Sequence, residues 1–158
     1  MGKAREADKA LPYLKILVER GDVKARSQFG MVYYSPKKNP AYDKRRGVAH
    51  FEYAEWNSVN MLHGLGVSYL NGVEEDRDYI KAFAVFTYLK NKREGGPAKK
   101  IAKSLKNAAD KLSPEDRIAA EDLIRRGYPL AEEFQREAIK VLKEYGDIPL
   151  DTEYRPKK

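Results

Sequence analysis

The sequence predicts an all-α protein: a right-handed α-solenoid of helix–turn–helix repeats, about eight helices long, with a C-terminal capping helix. Three observations carry that prediction. Apolar residues recur at i, i+3, i+4 spacing, and no segment shows a period of two. Glycine and proline breaks at Gly21, Pro36, Gly72, Gly95-Gly96-Pro97, Gly127 and Gly146 divide the chain into helix-length pieces. Finally, Phe29-Gly30-Met31-Val32-Tyr33 and Leu65-Gly66-Val67-Ser68-Tyr69 share one pattern 36 residues apart, and a fainter copy follows at Ile101-Ala102-Lys103-Ser104-Leu105.

Each element has a local reason. Ala7, Ala10, Leu11, Leu14, Leu17 and Val18 form the stripe of a first helix that stops at Gly21, with Pro12 tolerable only in or near its first turn. A second helix runs from about Asp22 to Ser35, and Pro36 to Asp43 is a loop. The third covers roughly Arg45 to Trp56, and the fourth Ser58 to Asn71. Acidic residues from Glu74 to Asp78 suit the start of a fifth helix, reaching about Arg93. The sixth spans Ala98 to Leu112. Ser113-Pro114-Glu115-Asp116 then supplies an N-cap, a proline at the first position and acidic residues for a seventh, which ends at Gly127. Pro129 opens the eighth, striped by Leu130, Phe134, Ala138, Val141, Leu142 and Tyr145 and stopped by Gly146.

These elements organise as one domain over residues 1–146, with repeats near 10–45, 46–81 and 82–127, a capping helix at 129–145 and an extended tail at 147–158. A mid-helix glycine costs about 1 kcal/mol against alanine, so Gly30 and Gly66 need a reason. Close approach of a neighbouring helix to bare backbone supplies one. A phosphate-binding loop at Gly64-Leu65-Gly66 fails for lack of a preceding strand and a following Lys-Ser/Thr.

The 158 residues carry 31 Lys/Arg against 24 Asp/Glu, a net charge of +7, which favours acidic partners over basic ones. There is no cysteine, which removes disulfides, thiolate metal sites and cysteine nucleophiles. Two histidines are too few for a histidine-rich metal centre, and no apolar run approaches the ~18 residues of a membrane span. His50-Phe51-Glu52 lacks the paired cysteines of a zinc deaminase and is expected to be a lone, exposed or half-buried histidine. No serine sits in a nucleophile elbow, and Glu74/Glu75 and Glu132/Glu133 are accounted for by helix starts. The residues therefore suggest neither an enzyme nor a cofactor.

The pattern around Leu65-Gly66-x-x-Tyr69, Gly72-Val73, Asp78 and Lys81-Ala82 resembles the Sel-one-like repeat family, relatives of the tetratricopeptide repeats. The preceding copy has Ala25, Phe29-Gly30 and Tyr33 but replaces the glycine-valine turn with the loop from Pro36 to Arg46. Leu112-Ser113-Pro114-Glu115 resembles the family's usual ending. The resemblance covers about Ala10 to Gly127. It implies a non-catalytic interaction module. Many bacterial members are exported, and some small ones resemble immunity proteins that neutralise secreted toxic effectors. A periplasmic location is favoured over a cytoplasmic one on that resemblance, and the opening Met-Gly is read as a cloning start on a trimmed chain, which a removed export signal would fit.

The expected partner is another protein, with an acidic surface, held in the concave groove lined by the repeated first helices. With Ala25, Phe29, Gly30 and Tyr33 packing inward, Ser27, Gln28, Met31 and Tyr34 lie on another face; Gln28, Met31 and Tyr34 are assigned to that groove, with His63, Val67 and Leu70, which follow Ser27, Met31 and Tyr34 by 36 residues. Trp56 adds a residue type common at binding hot spots, and Lys37 and Lys38 add charge. The competing reading has the Met31/Tyr34/Val67/Leu70 strip buried under the next helix layer. The alternatives for function are a general adaptor, or a nucleic-acid or anionic-polymer binder using Lys90–Lys106, which carries a net charge of +6.

Overall fold

The computed structural model describes residues 3–35, 39–54, 59–72, 77–92 and 98–156. The described chain is all-helical, with eight helices: α1 (Lys3–Glu19), α2 (Val23–Tyr34), α3 (Lys44–Tyr53), α4 (Val59–Asn71), α5 (Tyr79–Lys92), α6 (Ala98–Ala109), α7 (Pro114–Arg125) and α8 (Glu132–Tyr145). They fall into two compact units, residues 1–57 with 130–158 and residues 58–129.

In the first unit, α1 packs on α2, α2 on α3, and α3 on α8. Asp22 caps α2 by accepting from the Ala25 N–H, and Asp43 caps α3 by accepting from that of Arg46. Val18, Ala25, Phe29 and Tyr33 form the α1–α2 core, joined by Leu11, Leu14 and Ala41. Leu17, assigned by spacing to that stripe, points outward beside Tyr13 and Ile16, since Val18 takes the buried position. Pro12 is not in the first turn. The helix begins at Lys3, so Pro12 lies in its interior and leaves one carbonyl of the preceding turn without its helical donor.

The eighth helix starts later than Pro129 suggests, with Ala131 at its N-cap. Its face of Ala138, Ile139, Val141 and Leu142 is buried, and Ile139, Val141 and Leu142 pack with Ala49 of α3 and with Ile148. Gly146, at φ +72°, stops the helix in the left-handed conformation. The Asp147 N–H then returns to the Leu142 carbonyl at 2.9 Å.

In the second unit, α4 and α6 pack against α5, as does α7. Ser113 caps α7 by accepting from the Asp116 N–H at 3.1 Å, as its sequence indicates. The buried Tyr69 and Tyr128 share a hydroxyl–hydroxyl hydrogen bond at 3.0 Å.

The repeat is visible in the bonding. The Asp43 N–H donates to the Tyr33 carbonyl at 2.8 Å, and the Asp78 N–H donates to the Tyr69 carbonyl at 3.0 Å. The Arg46 guanidinium lies 4.1 Å from the centre of the Tyr33 ring, and the Lys81 ammonium lies 5.9 Å from that of Tyr69. The first helices therefore correspond at 36 residues and the second helices at 35, because the α2–α3 connection is one residue longer. Phe51 and Phe86 then match, and each ring lies over its repeat's glycine, Gly30 or Gly66.

The close-approach reason for these glycines holds. A Cβ on Gly66 would meet the buried Phe86 ring at 2.5 Å, whereas one on Gly64 would meet nothing within 4 Å. Gly66→Ala is expected to destabilise the protein by about 1–3 kcal/mol through overpacking. Gly64→Ala should stabilise it by up to about 1 kcal/mol through helix propensity alone. Urea unfolding of the two variants checks the opposite signs.

Candidate functional site

The most unusual chemistry in the described residues is a buried charge cluster in the first unit. α2 contributes Arg26, α3 contributes Arg46 and His50, and the turn after α8 contributes Asp147. Asp147 accepts from Arg46 Nε and Nη2 at 2.6 and 2.5 Å, a two-pronged ion pair, and from His50 Nε2 at 2.9 Å. Arg26 Nη1 donates to His50 Nδ1 at 3.3 Å and to the Asp147 backbone carbonyl at 3.4 Å. Arginine only donates, so His50 Nδ1 is the acceptor and its proton sits on Nε2, facing Asp147.

His50 is 0% exposed, not the exposed or half-buried residue expected from sequence. The Phe29 ring meets it edge-on at 4.9 Å, and the Tyr33 ring stacks on it at 5.9 Å. Burial lowers its affinity for a proton, and the charges of Arg26 and Arg46 add to that, against the pull of Asp147. Burial alone would raise Asp147, but the hydrogen bonds from His50 and Arg46 outweigh it and hold the carboxylate below its ordinary value. Arg46 is likewise disfavoured by burial but held above its ordinary value by Asp147.

These shifts set a pH dependence. A histidine whose folded-state pKa lies below its unfolded value contributes stability above about pH 6.5 that is lost as the pH falls through the folded value. Asp147 acts with the same sign lower down: its contribution is present above the ordinary value of 3.8 and is lost below it. Urea midpoints should be flat above pH 6.5 and decline below it. His63, lowered by burial and by Lys100, adds a smaller slope of the same sign. The expected result is that His63→Gln keeps most of the decline and His50→Gln flattens it.

Beside the cluster lies a cleft of about 770 Å³ within the same unit. Its walls come from the start of α2, the end of α3, α8 and the tail at 151–156, and include Arg26, Tyr53, Gln135 and Arg155. Gln135 Nε2 donates to the Glu52 carbonyl, tying α8 to the end of α3. The tail is anchored where it starts, since Ile148 is buried, and the Arg136 guanidinium lies 5.1 Å from the Tyr154 ring centre.

The residues assigned from sequence to a groove are placed differently from one another. Gln28 is exposed, and Met31, Val67 and Leu70 are half-buried. Tyr34 is corrected: it is 4% exposed, with its ring against Phe51 of α3, because the glycine-mediated approach of α2 to α3 encloses it. His63 is turned into its own unit, 3.0 Å from the Ser104 hydroxyl and tilted against Phe86. Lys37, Lys38 and Trp56 lie outside the described residues.

Sequence reasoning missed Arg26, Arg46 and Asp147 as a group, since Arg46 and Asp147 meet across 101 residues. One signal was present. Asp43-x-x-Arg46-Gly47 repeats Asp78-x-x-Lys81-Ala82 at a spacing of 35, hidden by the one-residue difference in the connection.

Among the described residues, no three His, Asp or Glu side chains gather as a metal set, and no helix is long and apolar enough to cross a membrane. Comparison with protein-family models, curated proteins and solved structures finds no match to this chain.

Proposed function

We propose that this chain is a non-catalytic protein-binding module built from helix-pair repeats of the Sel-one-like kind, stacked as a right-handed α-solenoid. The observation that supports this most directly is the repeated helix pair itself: the same Tyr carbonyl to Asp amide bond, a cation near the tyrosine ring (arginine in one copy, lysine in the other) and a phenylalanine over a glycine. Scaffolds made by repetition present extended surfaces to partners. The first helices keep half-buried apolar side chains, Met31 on α2 and Val67 and Leu70 on α4, which suit contact with a partner. The most concrete form of the reading is a bacterial immunity or inhibitor protein, acting in the periplasm on a secreted effector.

The test is affinity capture, identification of the bound protein, and titration of the purified pair. One-to-one binding that weakens at least about tenfold in Val67→Asp and Leu70→Asp variants with unchanged helicity supports the assigned face. Unchanged affinity in both variants removes that face from the reading, and failure to inhibit the captured protein's activity removes the inhibitor role.

One observation favours a second reading. Lys99, Lys100, Lys103 and Lys106 are all exposed on α6, a basic row suited to an anionic polymer. That reading requires retention on nucleic acid with a steep loss of binding as salt rises.

A further inference from the structure

Arg26 and His50 are not residues that this helix pair needs for packing. At the corresponding places in the second unit stand Leu62, 36 residues after Arg26, and Val85, 35 residues after His50, respectively 1% and 0% exposed. A pair of this kind thus closes on aliphatic side chains. Burying arginine and histidine there instead carries a desolvation cost, which an apolar replacement of similar volume avoids.

The cluster's charges also do not balance. Asp147 is taken up by Arg46 in the two-pronged pair, and His50 is neutral by its bonding. Arg26 is therefore a second cation with one carboxylate between the two. Among the described residues, its Nη1 alone finds hydrogen-bond acceptors, a ring nitrogen and a carbonyl, and no carboxylate comes within ion-pair distance of it. Its guanidinium is fixed in place, 4.8 Å from the centre of the Tyr53 ring, and it lines the cleft. Burial depresses its affinity for its proton, with Tyr53 and Asp147 only partly offsetting this. An incoming anion would relieve that penalty and could use the unspent Nε and Nη2 donors as a fork.

We infer that this cleft is a carboxylate-binding site, with Arg26 as the anchor and Tyr53 as the surface that holds the guanidinium in register. Arg155 on the tail supplies a second positive charge at the same cleft. Asp22, Asp151 and Glu153 also line it, three carboxylates against the two arginines, so the cleft as a whole repels anions and admits only a single carboxylate that reaches Arg26 from an otherwise neutral or basic chain. The ligand class is a polypeptide carboxylate, either an acidic side chain or a chain end. This deepens the protein-binding reading by naming the chemical group, while resting on residues that the test at Val67 and Leu70 does not touch.

The experiment titrates the full chain with three capped tripeptides. One carries its only carboxylate on a glutamate side chain, one carries it at a free C-terminus, and the third is an amidated glutamine control. The readout is the Nε–Hε resonance of Arg26 by NMR at constant ionic strength. The expected result is a saturable shift with one or both carboxylate peptides and none with the control, the stronger of the two identifying the source. In Arg26→Lys, which keeps the charge and loses the fork, affinity should fall at least about tenfold. No saturable shift with either carboxylate, an equal shift with the control, or unchanged affinity in a folded Arg26→Lys variant would each overturn the assignment. The wild-type resonance decides the matter even if the variant does not fold. Failure here with successful partner capture would remove the carboxylate site and leave the protein-binding reading standing.

Discussion

Asp147→Ala is expected to cost about 3–5 kcal/mol, because it strands charge instead of merely deleting a contact. The carboxylate accepts three side-chain hydrogen bonds, from Arg46 Nε, Arg46 Nη2 and His50 Nε2, and its side chain is 6% exposed. Removing it leaves two arginines facing a histidine, with the weaker pull of Asp43 on Arg46 remaining. Asp147→Asn keeps the shape and one acceptor, so a smaller loss is expected. The double replacement Arg26→Leu with His50→Val installs the residues of the second unit, and Arg46 and Asp147 remain paired. That variant should be close to neutral in stability or slightly stabilised, since well-packed apolar groups commonly match or exceed buried polar ones. Urea unfolding of the three variants gives the comparison. An Asp147→Ala loss below about 1 kcal/mol would show that the cluster is well hydrated and that the buried-pair account is wrong.

Gly47→Ala is expected to destabilise the first helix pair by overpacking. Its added Cβ would sit 2.9 Å from the Gly30 carbonyl oxygen and 3.0 Å from both the backbone nitrogen and the Cβ of Tyr34. These are the backbone and near-backbone atoms of α2, which cannot rotate away as the end of a side chain can. Accommodation requires α2 and α3 to separate along the crossing that also seats Phe51 on Gly30 and Tyr34 on Phe51. Overpacking against a backbone lies at the upper end of the usual 1–3 kcal/mol, and the helix-propensity gain of alanine returns at most about 1 kcal/mol. A net loss of about 2 kcal/mol is expected, read as a lower denaturation midpoint. The register equivalent, Ala82, already carries the methyl group and is fully buried, so the restriction belongs to the first pair and not to the repeat in general.

The helices themselves were legible from local chemistry. Asp22, Ser113 and Gly146 mark helix ends through hydrogen bonds and backbone angles that span only a few residues, so spacing alone identifies them. The glycine at the centre of each repeat was legible for the same reason, since an unexplained helix-breaking residue points to a close neighbour. The faces were less so. Leu17 and Val18 are adjacent apolar residues near a helix end, and which of them turns inward depends on where α2 lies. Tyr34 was assigned outward by subtraction, but the absence of side chains at Gly30 and Gly47 draws α3 close enough to cover it.

The sequence by itself determined an all-helical fold, several of its helix ends at Asp22, Ser113 and Gly146, and a glycine-centred repeat, because each of these is fixed by interactions within a few residues. Only the tertiary structure decided that α8 returns to pack on α3, that the turn after Gly146 delivers Asp147 to Arg46 and His50, and that Arg26 lines a cleft with no carboxylate of the described residues at ion-pair distance. Those pairings span up to 121 residues, and no local pattern records them. A charged residue written in a sequence does not disclose whether it meets water or another charge, and in the first unit that difference separates a solvated helix face from an enclosed charge cluster.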